Sequence, residues 1–214
     1  MTIYNDQLSQ YNASLFAIHD KGLQRAWEDS PRKGLPAISI KPEEGRFLQV
    51  LARACGAKKA LEIGTLGGYS GIWIARGLLP GGKLITLEVE SRHAKVAREH
   101  FTLAGVGDVV EIRIGNAHDV LEKLSAEAPF DFVFIDAEKT GYPKYFAWAL
   151  EHARLGGVIA AHNAFRNGSV AGIGELDEFT ESMREFNRSI ADNSRLLSII
   201  YPAGDGTLVS VKVG

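Results

Sequence analysis

Apolar and polar positions alternate with two different periods along most of the chain. Short apolar runs predict buried strands over residues 60–64, 83–88, 109–114, 131–135 and 155–161. Apolar residues spaced by three or four positions predict helices over residues 43–55, 69–79, 91–104, 117–126 and 142–153. Because strands that alternate with helices form parallel sheets, the pattern predicts a doubly wound α/β fold with helices on both faces of the sheet. Ligands of such folds bind outside the carboxyl ends of the strands.

The C-terminal part of the chain has a different pattern. A helix is predicted over residues 175–187, and two β-rich segments follow at residues 195–201 and 207–213. The segment between them, residues 202–206, contains proline, glycine and aspartate and is typical of a hairpin turn. We therefore expect an antiparallel strand pair at the end of a mostly parallel, seven-stranded sheet.

The first part of the chain lies outside this alternation. One amphipathic helix is predicted over residues 3–28, with apolar side chains at Tyr4, Leu8, Tyr11, Leu15 and Ile18. Prolines between residues 31 and 36 end it, so we expect a helical extension over residues 1–36 and a core over residues 37–214. The apolar stripe must be covered either by the chain's own core or by a second subunit.

Length and composition narrow the possible classes of protein. The 214 residues, 45% of them hydrophobic, suffice for one well-packed domain over residues 1–214. The net charge of -2, with both signs interspersed, argues against a nucleic-acid or membrane partner. The N-terminus is polar and no apolar stretch is long enough to cross a membrane, so we expect a cytoplasmic protein. The single cysteine, Cys55, cannot form an internal disulfide, and its apolar neighbours predict a buried structural thiol.

A glycine-rich turn follows the first predicted strand. Its glycines are Gly64, Gly67 and Gly68, a spacing that differs from the dinucleotide fingerprint, and no Lys-Ser or Lys-Thr follows to make a phosphate loop. Glu62 precedes the turn, and Glu88 ends the second strand. A carboxylate at the tip of the second strand can accept both ribose hydroxyls. These features favour S-adenosylmethionine, a cation with a ribose and no phosphate; a plain strand–turn–helix connection with solvated acids is the alternative.

Several short motifs together resemble one enzyme family. They are Leu-Glu-Ile-Gly-Thr at residues 61–65, Gly-Tyr-Ser at 68–70, Phe-Asp-Phe-Val-Phe-Ile-Asp-Ala-Glu-Lys at 130–139, Tyr-Pro-x-Tyr at 142–145, Gly-Gly at 156–157 and Gly-Asp-Gly at 204–206. In this order they span residues 38–214 and resemble the caffeoyl-CoA and catechol O-methyltransferases, class I enzymes that use S-adenosylmethionine. The resemblance implies a Rossmann-like methyltransferase fold, a divalent cation beside the cofactor and a homodimer.

The resemblance also implies which residues contact the cofactor. They are Glu62, Gly64, Thr65, Gly68, Ser70, Glu88, Val89, Ala117, His118, Asp136 and Tyr145. Glu88 is expected on the ribose, and Ala117 and His118 on the adenine side. Asp136, at the end of the fourth strand, is expected to touch both the cofactor and the metal.

Lys139 is the residue that we predict to act as the base. Methyl transfer needs a nucleophilic oxygen held in line with the sulfonium, yet a phenol ionises only near pH 10. A bound cation can lower the pKa of the hydroxyl, and a nearby base can remove its proton. A lone lysine is usually a surface residue, but Lys139 follows Asp136 in an Asp-x-Glu-Lys context, where burial would lower the lysine pKa. We therefore predict a small acceptor with a catechol-like or phenolic hydroxyl.

The end of the fifth strand departs from the family pattern. Two metal ligands, Asp-Asn, are usual there, whereas this chain has His162 and Asn163. Asp136, His162 and Asn163 would form a softer, less anionic site that favours manganese, iron or zinc over magnesium. In the alternative, the metal is lost, and His162 transfers protons or orients the acceptor itself.

Two other functions stay open on the sequence alone. One is a metal-independent methyltransferase of another small acceptor, including a nitrogen acceptor. The other is a non-catalytic protein that binds S-adenosylmethionine. The presence of Asp136, Lys139 and Asn163 together favours the O-methyltransferase. A basic patch with interleaved aromatic residues would indicate nucleic-acid methylation, and the sequence has none.

Overall fold

A seven-stranded sheet forms the centre of the computed structural model, which describes residues 4–173 and 175–214. In chain order its strands are β1 (Lys59–Ile63), β2 (Lys83–Glu88), β3 (Val110–Ile114), β4 (Phe130–Ile135), β5 (Ala153–Ala161), β6 (Leu196–Tyr201) and β7 (Thr207–Lys212). Across the sheet the order is β3-β2-β1-β4-β5-β7-β6, with β1 to β5 parallel and β7 antiparallel to both β5 and β6. The predicted mostly parallel sheet with an antiparallel C-terminal pair is confirmed.

Helices cover both faces of this sheet. They are α1 (Asp6–Phe16), α2 (Lys21–Arg32), α3 (Pro42–Ala54), α4 (Tyr69–Gly77), α5 (Ser91–Leu103), α6 (Ala117–Leu124), α7 (Tyr142–His152) and α8 (Thr180–Ala191). One core packs α2 to α5 against one face, with Leu23, Trp73 and Phe101 among its side chains. The other packs α6 to α8 against the opposite face and includes Phe146 and Phe186. From Phe132 to Ile135, successive residues of β4 enter the two cores in turn, as expected of a strand buried on both faces.

A break between α1 and α2 shows that the prediction of one helix over residues 3–28 is wrong. Asp20 begins the second helix, because its side chain accepts a hydrogen bond from the backbone N–H of Leu23. Pro31 lies inside the last turn of α2 instead of ending the helix before it. Residues 1–3, where the predicted helix begins, lie outside the described residues. The division of the chain into an extension and a core stays a prediction.

Other element boundaries differ from those predicted by one to five residues, and for two of the starting points the structure shows the cause. The helix expected over residues 175–187 begins only at Thr180, because the Thr180 hydroxyl and the Asp177 side chain bond each other in a turn before it. Strand β5 begins at Ala153 rather than at residue 155, because Ala153 pairs with Phe130 across an irregularity in the ladder. Both differences arise from hydrogen bonds that apolar periodicity does not encode.

The Cys55 thiol is only partly buried, whereas the sequence predicts a buried thiol. Burial still raises the pKa of this thiol, which makes it a poor nucleophile.

Across the described residues, no helix is both long enough and apolar enough to cross a membrane. The cytoplasmic location stays a prediction.

Candidate active site

A cavity of about 800 Å³ lies at the carboxyl ends of β1, β2 and β4. The predicted cofactor residues that line it are Gly64, Thr65, Ser70, Glu88, Val89, Ala117, Asp136 and Tyr145. Lys139 and Asn163 line it as well. Sequence reasoning missed Leu66 and His93, which form part of the same wall. The cavity therefore lies where ligands of doubly wound folds bind.

The turn between β1 and α4 requires glycine at two positions. Gly64 has a φ of 104°, and a Cβ there would lie 2.0 Å from the backbone oxygen of Asp136. Gly68 has a φ of 82° and is the N-cap of α4, where a Cβ would press on Phe101. Residues with a side chain rarely adopt a positive φ, so both positions of the turn need glycine. At Gly64, the missing Cβ also lets the turn pass close to the end of β4. Gly68 shapes the turn but is not part of the cavity wall.

Glu88 holds the glycine turn as well as lining the cavity. One carboxylate oxygen accepts a 2.7 Å hydrogen bond from the N–H of Leu66, and the other accepts a 3.0 Å bond from the N–H of Glu90. Leu66 depends on this bond because its φ of 46° lies in the left-handed region. His93 Nδ1 is 3.5 Å from the same carboxylate. Each oxygen keeps a second lone pair, so Glu88 can still make the predicted ribose contact.

Glu62 lies beneath the cavity floor and is fully buried. Its carboxylate accepts hydrogen bonds from the hydroxyls of Ser70 at 2.5 Å and Thr86 at 2.7 Å. Burial raises the pKa of Glu62 to about 7; the two hydroxyls oppose this shift, and the nearby Asp136 and Glu88 carboxylates add to it. Glu62 therefore reaches the cavity through Ser70, and a cationic ligand there would favour its ionised form.

Glu62→Gln should make the free energy of unfolding less dependent on pH. The folded protein keeps this proton up to a pKa of about 7, whereas an unfolded glutamate loses it near 4.5. The stabilising contribution is therefore full below about pH 4.5 and is lost as the pH rises through about 7. Relative to wild type, the variant should gain up to about 3 kcal/mol between about pH 5 and pH 8. Urea unfolding at a series of pH values measures the free energy of unfolding of both chains. Parallel curves of this free energy against pH would contradict the prediction.

The predicted adenine side of the cavity is built from α6 and Tyr145. Asn116 caps α6, its side-chain oxygen accepting a 2.9 Å hydrogen bond from the N–H of His118. The exposed His118 ring stacks on the buried Tyr145 ring, with the ring centroids 4.7 Å apart. The Tyr145 hydroxyl in turn donates a hydrogen bond to Glu138. His118 therefore supports Tyr145 from outside the cavity wall, whereas Ala117 lines the cavity itself.

Lys139 belongs to a polar cluster at the end of β4. Its Nζ is 3.3 Å from Asp136 Oδ1, 2.8 Å from the Tyr142 hydroxyl and 2.6 Å from Asn163 Oδ1. Burial lowers the pKa of Lys139, an effect that the Asp136 carboxylate opposes. A lysine held by three polar groups in a cavity is a better candidate for a base than a surface lysine. Tyr142 belongs to a sequence motif, but nothing in the sequence indicates this contact.

His162 lies between two carboxylates. Its Nε2 is 2.9 Å from Glu44 Oε1, and its Nδ1 is 3.5 Å from Asp136 Oδ2. The Nδ1 atom is buried and has no hydrogen-bond partner among the described residues. Burial disfavours the charged ring, but Asp136 and Glu44 outweigh burial and raise the pKa of His162 to about 10. Burial also acts to raise the pKa of Asp136, yet His162 and Lys139 hold that pKa below its ordinary value.

The predicted metal ligands meet in this cluster. Asp136 Oδ2 and His162 Nδ1 are 3.5 Å apart, close to the separation of two ligand atoms that each lie roughly 2.0–2.2 Å from one ion. The Nδ1 atom can supply a lone pair once the ring has lost a proton, and Asn163 Oδ1 shares the Lys139 ammonium with Asp136. In the described part of the chain, no three His, Cys, Asp or Glu side chains form a metal-sized cluster. The predicted set, which includes an amide, fits a divalent cation softer than magnesium.

A second cavity, of about 550 Å³, adjoins the first, and Ser39 and Ile40 belong to the walls of both. Its apolar wall consists of Ile40, Phe165, Val170, Ala171 and Ile173. Its polar wall includes Lys41, Glu44, His162, Asn167 and Asp205. Lys139 lines the first cavity and His162 the second, so the polar cluster lies at the boundary between them.

Comparisons with known sequences agree with this geometry. A family model described as O-methyltransferase matches residues 16–213. The catechol O-methyltransferase of Niastella koreensis is 42% identical over 191 residues, which cover 88% of this chain and 86% of that protein. The catechol O-methyltransferase of Mycobacterium tuberculosis is 46% identical over 151 residues, which cover 71% of this chain and 68% of that protein.

A solved structure has the same architecture. The O-methyltransferase of Bacillus cereus in complex with SAH matches with a TM-score of 0.88 at 38% sequence identity, over 96% of this chain and 97% of that chain. Sequence and structure therefore agree over almost the whole chain, including the strands that border both cavities. The chain belongs to the catechol and caffeoyl-CoA O-methyltransferase family of class I, S-adenosylmethionine-dependent enzymes.

Proposed function

We propose that the protein transfers a methyl group from S-adenosylmethionine to a hydroxyl of a small catechol-like or phenolic acceptor, assisted by a divalent cation. The observation that carries the proposal is the polar cluster of Asp136, Lys139, His162 and Asn163 at the boundary of the two cavities. The larger cavity suits the cofactor, and the smaller one, with its apolar wall, suits an aromatic ring. The two related catechol O-methyltransferases support this class of acceptor.

Lys139 removes the acceptor's proton in this proposal. Its neutral amine takes the hydroxyl proton at Nζ while the acceptor oxygen bonds to the methyl carbon and the carbon–sulfur bond breaks. The sulfonium becomes a neutral thioether and the proton remains on Lys139, so the charges balance. The lowered pKa of Lys139 increases the fraction of neutral amine. Asp136 and Tyr142 hold the amine in position through their contacts with Nζ.

Asp136, His162 and Asn163 would hold the cation. When bound, a divalent cation lowers the pKa of the acceptor hydroxyl and fixes the position of its oxygen. The ligand set contains one carboxylate, one imidazole and one amide, which suits manganese, iron or zinc better than magnesium. His162 must give up the proton on Nδ1 to act as a ligand, so loading the site should release a proton.

Exhaustive chelation should abolish methyl transfer to catechol, and Mn²⁺ should restore the activity better than Mg²⁺. The reason is that the hydroxyl pKa stays near 10 without an ion, while the mixed ligand set favours the softer metal. Initial rates before chelation, after chelation and after adding each ion back measure the effect. Calorimetric titration with S-adenosylmethionine serves as the control for an intact cofactor cavity. Full activity without any ion would reject the cation and favour metal-independent transfer.

We also propose a homodimer in which a second subunit covers α1 and the residues that follow it. The exposed fractions of the apolar side chains here are 50–67%, at Tyr11, Leu15, Phe16 and Ile18. The apolar stripe predicted from the sequence is thus left largely uncovered by the chain's own core. Several exposed apolar side chains on and just after one helix are typical of an interface between subunits.

Light scattering at micromolar concentration should return the mass of two chains. Phe16→Asp should shift the protein toward one chain, because it places a charge in the apolar patch. Leu155→Asp is the matched control: Leu155 is equally exposed, at 64%, but lies on β5, outside the patch, and the substitution should leave the dimer intact. A single-chain mass for the wild type would reject the dimer.

A further inference from the structure

Glu44 is a buried carboxylate behind His162 that the proposed methyl transfer does not use. Only 2% of its surface is exposed. Its Oε1 is 2.9 Å from His162 Nε2, and its Oε2 accepts a 2.9 Å hydrogen bond from the backbone N–H of Lys41, at the start of α3. A carboxylate buried this deeply is costly unless partners hold it. Both oxygens have a partner, so the carboxylate is fixed in one position.

The C-terminal hairpin leaves room for this carboxylate. Gly204 has a φ of +57°, and a Cβ at this position would lie 2.3 Å from the Glu44 carboxyl carbon. The next residue of the hairpin, Asp205, accepts a 3.0 Å hydrogen bond from the side-chain amide of Asn163. The hairpin and α3 therefore meet at the end of β5, where both candidate ligands of that strand are held from behind.

The bond to Glu44 decides which ring nitrogen of His162 faces Asp136. The Nε2–H group donates to Glu44 Oε1, so the neutral ring carries its lone pair on Nδ1. That atom is buried, has no hydrogen-bond partner among the described residues, and is 3.5 Å from Asp136 Oδ2. Histidines that bind metals have this arrangement: the distal nitrogen donates to a carboxylate, which fixes the ring and strengthens the other nitrogen as a ligand.

We infer that Glu44 is a positioning residue that acts through His162, and that the two residues together replace the aspartate usual at position 162 in the resembled family. The inference rests on the proposed function, because it concerns the cation held by Asp136, His162 and Asn163. When the ring is neutral, as metal binding requires, the pair carries the charge of one carboxylate, as an aspartate would, but presents a nitrogen to the ion in place of an oxygen. The site thus keeps its charge while changing its preference among metals.

The contact between Glu44 and His162 affects the stability of a variant in which aspartate replaces His162. His162→Asp alone would set a third buried carboxylate against Glu44 and Asp136, with no imidazole between them. Like charges this close and this buried destabilise the folded state. Glu44→Gln in the same chain removes one of the charges while keeping the shape of the side chain. The double variant should therefore be more stable than His162→Asp alone.

Calorimetric titration of metal-free chains with Mn²⁺ and Mg²⁺ tests the role of Glu44 in metal binding. Glu44→Gln should weaken Mn²⁺ binding by about 10- to 100-fold, because the bond to Glu44 orients the nitrogen ligand. It should weaken Mg²⁺ binding less, because Mg²⁺ depends mainly on the oxygen ligands. Glu43→Gln is the matched control: this neighbouring buried carboxylate bonds Ser9 and Tyr4, and its loss should leave the ratio of the two affinities unchanged. Unchanged Mn²⁺ affinity in Glu44→Gln would overturn the inference and leave the proposed function intact.

Wild type that binds neither ion would instead reject the cation of the proposed function, and this inference with it. Thermal unfolding of the metal-free wild type, both single variants and the double variant tests the pairing separately. His162→Asp should lower Tm more when Glu44 is present than when it is replaced by glutamine. The double variant should also bind Mg²⁺ more tightly than wild type does, since it offers a second carboxylate ligand. Equal losses of Tm in both backgrounds would overturn the pairing.

Discussion

Lys139→Met should lower kcat for methyl transfer to catechol by roughly 10²- to 10⁴-fold, the contribution typical of a positioned general base. Methionine keeps an unbranched side chain of similar length but cannot accept a proton. The substitution also removes the amine that contacts Asp136, Tyr142 and Asn163. Affinity for S-adenosylmethionine should change much less than kcat, because the other residues of the cofactor cavity remain. Steady-state kinetics and calorimetric titration with the cofactor separate the two effects.

Lys144→Met is the matched control for this prediction. Lys144 lies on α7, close in sequence to Lys139, but its side chain is exposed and lines neither cavity. The control should keep the wild-type kcat. If Lys139→Met kept a wild-type kcat as well, proton removal would have to occur elsewhere in the site, and the assignment of the base would be wrong.

Glu88→Ala should weaken binding of S-adenosylmethionine by about 10- to 150-fold, the equivalent of 1.5–3 kcal/mol for a lost hydrogen bond to a charged group. Two losses act together. The ribose loses its predicted partner, and the glycine turn loses the carboxylate that holds the left-handed Leu66. Calorimetric titration of the variant with the cofactor measures the change in affinity.

Glu90→Ala is the control for the loss of a negative charge near the cavity. The Glu90 side chain is exposed and makes no capping bond to α5, so its removal should leave the affinity for S-adenosylmethionine unchanged. Wild-type affinity in Glu88→Ala would contradict both the ribose contact and the role of Glu88 in the turn.

The sheet and most of its helices could be predicted from periodicity because burial on both faces requires it. A run such as Phe130–Ile135, apolar except for Asp131, is typical of a central strand, and the regular alternation with helices favours a parallel sheet. The N-terminal helices could not be predicted in this way. The second helix begins where the Asp20 carboxylate accepts a capping hydrogen bond from the Leu23 N–H, while the apolar spacing continues across the break.

Some residues of the candidate site could also be predicted from the sequence, and others could not. Residues at or just beyond the carboxyl ends of parallel strands, such as Glu88, Asp136 and Asn163, could be placed near the cavity from the sequence, because these strand ends share one edge of the sheet. Glu44 could not, since it lies 118 positions from His162 and comes near it only when α3 packs beside the end of β5. No local pattern encodes a contact between residues this far apart.

Transfer of a ¹³C-labelled methyl group from S-adenosylmethionine to catechol, followed by NMR of the product, tests the central claim most directly. The proposed function predicts a labelled methoxy carbon on a catechol oxygen and an equal amount of S-adenosylhomocysteine in the presence of Mn²⁺. A protein that binds the cofactor but transfers no methyl group to any catechol, with Mn²⁺, Fe²⁺, Zn²⁺ or Mg²⁺ present, would contradict it. So would a label found only on the nitrogen of an amine acceptor offered in the same assay.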